Sequence, residues 1–108
     1  MRHFRYLQVV AALLLAASAS AQPGADIEAG RRAFMAAGCY QCHGTVGQGG
    51  VGPTLAPEPL PPQALIAFVR YSTGSMPAYS PAAVSDDDLR RIDAFLQSIK
   101  PTAPASGR

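Results

Sequence analysis

Tryptophan is absent from the 108-residue chain, cysteine and histidine occur twice each, and charged side chains make up 15%. These scarcities exclude a good deal. Beyond residue 21 no stretch alternates apolar and polar residues as a strand would, so the α/β scaffold under most thiol–disulfide enzymes is missing. A zinc site would need further Cys or His ligands beyond Cys39, Cys42 and His43, and the one other His, His3, lies in an amino-terminal leader expected to be removed. There is no internal repeat. The longest apolar run, Val9 to Ala17, is too short to span a bilayer comfortably. Nine Lys+Arg face seven Asp+Glu. Two of the basic residues, Arg2 and Arg5, belong to a leader, and without them the charges cancel. No case for nucleic acid or an acidic membrane surface survives that subtraction.

That leader has the form of a secretory signal peptide. Arg2 and Arg5 form its positive start, the run to Ala17 its apolar centre, and Ala19-Ser20-Ala21 a small-residue cleavage site. Cleavage after Ala21 is expected, with no membrane span left afterwards. Of 108 residues, 87 then remain. A domain of that size buries only about two-thirds of its unfolded surface and needs a staple.

The staple is legible in Cys39-Tyr40-Gln41-Cys42-His43. Two thiols with two residues between them and an imidazole directly after form the attachment pattern of a c-type haem. Each sulfur can add to one of two vinyl groups on one edge of the porphyrin. The residue after the second thiol is then held close under the iron, where a neutral His nitrogen is a good axial ligand. A redox-active disulfide and half of a zinc site are the competing readings. The motif occurs once, so one haem is expected. Covalent attachment of this type belongs outside the bacterial cytoplasm, which agrees with the leader and places the protein in the periplasm.

The rest of the chain reads as short helices joined by glycine and proline. Asp26 is a candidate N-cap for a helix whose apolar face is Ile27, Gly30 and Phe34, ended by Gly38. Gly30 in mid-helix costs up to about 1 kcal/mol against Ala, which is tolerable if a second helix approaches there. Gly44 to Leu55 is glycine-rich but lacks the Gly-Lys-Ser/Thr of a phosphate loop, and reads as irregular backbone pressed around a flat ligand. The proline run Ala56 to Pro62 is a stiff connection. A helix is expected from Pro62 to about Ser72, with Leu65, Phe68 and Val69 inward and Gly74 as its stop. The last helix opens with Ser85 as cap and Asp88 at the capping-box position. It buries Leu89, Ile92, Phe95, Leu96 and Ile99 and stops at Pro101. Residues 22–100 thus form one domain, and 101–108 a flexible tail.

His43 supplies one side of the iron, and the other ligand decides the job. An open position permits oxygen chemistry or ligand sensing, whereas a thioether favours electron transfer and raises the potential. Past the leader the candidates are Met35 and Met76. Met35 lies one helical turn before Cys39, on the element that carries the attachment site, and can scarcely reach the opposite face. Met76, in a loop shaped by Gly74 and Pro77, can pass around the disc and return over it.

The order Gly30-x-x-x-Phe34, Cys39-x-x-Cys42-His43, Gly52-Pro53-x-Leu55, Met76-Pro77-x-Tyr79 and Leu89…Ala94-Phe95-Leu96 resembles the class I bacterial cytochromes c. The resemblance implies an all-α fold of three to four short helices around one covalently attached haem c. It implies iron ligation by His43 and Met76, a Pro53 carbonyl that accepts a hydrogen bond from the far nitrogen of His43, and a Tyr79 near the haem edge or a propionate. It also implies that the helix of Gly30 and Phe34 crosses the last helix near Phe95 and Leu96. No tryptophan is present to bond a propionate, which leaves Tyr71, Arg70, Tyr79 or water.

Small cytochromes of this shape often resemble the cytochrome subunit of a periplasmic dehydrogenase. The expected function is therefore that of an exported one-electron carrier, not an enzyme, that is a monomer or a dehydrogenase subunit. Its donor would be a dehydrogenase and its acceptor an oxidase, a peroxidase or another cytochrome. The alternative from a different class is a sensory or catalytic haem protein with a displaceable sixth ligand.

Overall fold

The computed structural model describes residues 23–101. The expected signal peptide, and the tail beyond Pro101, lie outside the described residues. Four helices follow one another: α1 (Pro23–Ala36), α2 (Tyr40–His43), α3 (Pro62–Tyr71) and α4 (Asp86–Ser98). The described residues contain no strand. The all-α fold class expected above is the one observed.

Two helix packings build the frame. The larger sets α1 across α4, and the lesser sets α3 against α4. At the first crossing Gly30 is buried, and a Cβ placed on it would overlap the carbonyl of Arg91. The missing side chain is what lets the two backbones touch. One turn later Phe34, fully buried, meets Phe95 with ring centroids 5.6 Å apart and planes tilted by 57°. Leu89, Ile92, Phe95 and Leu96 of α4 are all buried, as expected of its inner face, whereas Ile99, expected with them, follows the helix as its C-cap and is only partly buried. Its start is also as expected: Ser85 Oγ accepts the Asp88 N–H at 3.0 Å, and Asp86, Asp87 and Asp88 occupy the positive end of the dipole.

Three local expectations need correction. First, α1 begins at Pro23, so Asp26 lies inside its first turn and does not cap it. Proline suits the opening position of a helix, because it needs no N–H there and its φ is already helical. Second, Phe68 is not part of an inward stripe: Leu65 and Val69 are buried, whereas Phe68 is 57% exposed. Residues 65 and 69, one turn apart, take the contact with α4, which leaves Phe68 off to one side. Third, α3 stops at Tyr71, before Gly74, where Ser72 turns to extended backbone and donates its hydroxyl to the Met76 carbonyl at 2.9 Å.

Candidate functional site

The short helix α2 carries Cys42 and the imidazole, and Cys39 is its N-cap. Cys39 and Cys42 stand three residues apart, within one helical turn of each other. Both are free thiols; Cys39 is partly buried and Cys42 exposed. Burial pushes the Cys39 thiol above its ordinary value. A redox-active Cys-x-x-Cys needs the opposite, a thiolate favoured at neutral pH, so the site is poorly built for disulfide exchange. Zinc fares no better: nowhere among the described residues do three or more His, Cys, Asp or Glu side chains gather to hold a metal ion.

His43 is 7% exposed, and its Nδ1 lies 2.7 Å from the Pro53 carbonyl oxygen. A carbonyl only accepts, so Nδ1 carries a proton, and in the neutral ring Nε2 is then the nitrogen with the lone pair. The glycine-rich segment makes this geometry possible. The Gly49 N–H donates to the His43 carbonyl and the Gly52 N–H to the Cys42 carbonyl, each at 2.8 Å, folding the chain back under the ring. A Cβ on Gly52 would stand 3.0 Å from His43 Cε1 and 3.1 Å from Nδ1. The crowding that selects glycine here comes from the protein's own imidazole, where the sequence suggested a flat ligand.

Beside the ring lies an apolar cavity of about 270 Å³. Its walls come from α1, α3, α4 and the two long loops, with Phe34, Leu55, Leu65, Val69 and Leu96 among them. Cys39, His43, Pro53, Met76 and Tyr79 all reach it, and Cys42 does not. Leu60 and Phe68 line it while remaining 49% and 57% exposed, so they mark its open side. The site residues named from the sequence, distant along the chain, are thus brought to one hollow, Cys42 excepted. A flat apolar group with one polar metal at its centre fits that chemistry: greasy walls, one imidazole, one thioether, and the Cys39 thiol, with Cys42 exposed one turn further on.

The candidates for propionate contacts fare differently. Tyr71 is 80% exposed. The Tyr79 hydroxyl donates to the Ala37 carbonyl at 3.2 Å, and burial, then the Cys39 and Cys42 sulfurs, raise its pKa. Arg70 is turned away into the protein: Nη1 donates to the Tyr79 carbonyl at 3.0 Å, and Nη2 to the Val84 carbonyl at 2.8 Å and Asp86 Oδ1 at 2.6 Å. Sequence reasoning missed this role. The signal was faint: a lone charge in an otherwise uncharged helix, with an acidic cluster further on. It also missed Asp93, 3% exposed on α4 with Oδ1 unpartnered, whose carboxyl burial raises above the usual carboxylate range while Gln97 offsets part of that.

An all-helical frame around an apolar hollow, with Cys-x-x-Cys-His on one wall, defines a single-haem c-type cytochrome domain that binds haem c. Residues 25–96 match the family described as cytochrome c oxidase, cbb3-type, subunit III, and the chain belongs to that family of cytochrome c domains. Comparisons with curated proteins and with solved structures found no match.

Proposed function

We propose that this protein is an exported one-electron carrier of the periplasm, with its haem iron held between His43 and Met76. The observation that supports this most is the placing of Met76. Its half-buried side chain reaches the same cavity as the His43 ring, although 33 positions separate the two in sequence. The cavity is otherwise apolar and offers no second His.

The bound haem would supply the one-electron iron couple. The protein's part is to hold the ligands still and keep water out. Cys39 and Cys42 would carry the thioether links. The Pro53 carbonyl fixes the His43 ring and, by accepting a hydrogen bond from its Nδ1–H, would make the other ring nitrogen a better donor to the iron. A Met76 thioether on the iron would favour the reduced state and so raise the potential. With His43 and Met76 both holding the iron, the chain would rearrange little when the charge changes and would keep no place for a substrate.

The partner would dock where charge is sparse. Between Ala33 and Ser85 the only Asp, Glu, Lys or Arg are Glu58 and Arg70, and Arg70 is spent on internal acceptors. The open side of the cavity, with Leu60 and Phe68, therefore faces outward without a ring of charge. Such a surface suits an apolar, weakly steered encounter. The donor would be a periplasmic dehydrogenase, as for similar small cytochromes. The acceptor would be a terminal oxidase, in keeping with the family's description, or a peroxidase or another cytochrome. No described helix is long and apolar enough to cross a membrane.

Absorption spectra of the matured protein in both redox states test the reading. A ferric sulfur-to-iron charge-transfer band that disappears in Met76→Ala supports it, as does slow carbon monoxide binding by the ferrous protein. A colourless product, a spectrum unchanged by the substitution, or rapid carbon monoxide binding would overturn it, the last in favour of a sensory or catalytic haem protein.

A further inference from the structure

The loop that carries Met76, residues 72–85, contains no charged side chain of its own, yet it is tied down from outside. Ser72 Oγ donates to the Met76 carbonyl at 2.9 Å, and the Tyr79 N–H donates to the Val69 carbonyl at 2.9 Å. Arg70 adds the remaining ties. It is the sole charged residue of α3, its side chain is 10% exposed, and it reaches the carbonyls of Tyr79 and Val84 together with the Asp86 carboxylate. Both backbone groups of Tyr79, three residues beyond Met76, are therefore held by the last turn of α3. The far end of the loop is held by the same guanidinium.

We propose that Arg70 is the positioning residue for the sixth iron ligand: it holds the Met76 loop against α3 and so sets how readily the thioether leaves the metal. The proposal rests on Met76 being that ligand. Three acceptors lying in different directions require a planar fork of N–H donors, which arginine has and the single nitrogen of lysine does not. Hydrogen bonds from a charged donor are about twice as strong as neutral ones, and the two to carbonyls are half-buried. Removing them leaves the loop anchored at Ser72, at the Tyr79 N–H and hydroxyl, and at the Ser85 cap of α4, with the Tyr79 carbonyl and the stretch to Val84 released. The fold persists, and the change falls on local opening of the segment between those anchors.

The test compares matured holoprotein carrying Arg70→Lys, Asp86→Ala or Met76→Ala with the wild type. The readouts are the ferric sulfur-to-iron charge-transfer band and the affinity of the ferric protein for imidazole, with far-ultraviolet circular dichroism to monitor the fold. Arg70→Lys should keep its helix content and its haem, weaken the band, and bind imidazole about tenfold or more tightly, the loss of one to two charge-assisted bonds. Asp86→Ala, which leaves Arg70 its two carbonyls, should bind imidazole only a few-fold more tightly. Wild-type affinity in Arg70→Lys, or in Asp86→Ala if the lysine variant does not mature, would overturn the assignment. A wild-type protein without the band, or a Met76→Ala variant that retains it, would overturn the ligand itself with Arg70 untouched, so the two failures are distinguishable.

Discussion

Replacing Gly30 by alanine sets two effects of opposite sign against each other. Helix propensity alone says that Gly30→Ala stabilises α1 by about 1 kcal/mol. The crossing with α4 says otherwise. The new Cβ would overlap the carbonyl of Arg91 and stand 3.0 Å from the Ile92 amide nitrogen. These are main-chain atoms inside a helix, so no rotamer change relieves the clash and the helices must part. Overpacking of this kind costs about 1–3 kcal/mol, and a contact with backbone on both sides belongs at the upper end. Parting the helices also weakens the Phe34–Phe95 pair, worth about 0.5–1.5 kcal/mol beyond its buried area. After the propensity gain, a net loss of about 2 kcal/mol remains, roughly 8–16 °C in melting temperature for a domain of this size. The assay is thermal unfolding of the matured protein followed by far-ultraviolet circular dichroism. Gly24, in the same helix with nothing within 4 Å of its would-be Cβ, is the control. Gly24→Ala should melt at or slightly above the wild type. If Gly30→Ala does so too, the account of the crossing is wrong.

Three further outcomes follow from the geometry. The Asp93 carboxyl has a folded pKa raised above its ordinary 3.8, so the folded state holds the proton more tightly than the unfolded one. The wild type should therefore lose stability as pH rises from about 4 through the raised value. Asp93→Asn should remove that loss, gaining on the order of 1–3 kcal/mol at neutral pH and little at pH 4; a difference independent of pH would contradict this. Gly52→Ala should push the His43 ring off the Pro53 carbonyl and, with His43 on the iron, raise the reduction potential, which a redox titration measures. Ser85→Ala removes the cap on the Asp88 N–H and should lower the denaturant midpoint by about 1 kcal/mol without changing the slope.

Much of this protein was legible one residue at a time, because the relevant physics is local. Cys39, Cys42 and His43 declare their chemistry by spacing alone. Ser85 caps α4 because its hydroxyl and the Asp88 N–H are neighbours in any chain that begins a helix there. The inner face of α4 follows from the helical repeat, since Leu89, Ile92, Phe95 and Leu96 fall on one side whatever they meet. The class of the fold, the haem and its attachment were all available at that level.

What a residue meets across the fold is a different kind of information. Gly30 could be read as tolerating a close approach, but the Arg91 carbonyl as the thing approached is a property of two helices packed together. Arg70 was readable as a propionate partner; its choice of Tyr79, Val84 and Asp86 depends on where the following loop returns. Phe68 and Asp93 break the inside–outside pattern in opposite directions, the one exposed at an open cavity and the other buried without a partner for Oδ1. Spacing along a chain determines which groups share a turn or a face. Only the packed structure decides which distant group comes to fill the space beside them, because that depends on every other element having already taken its place.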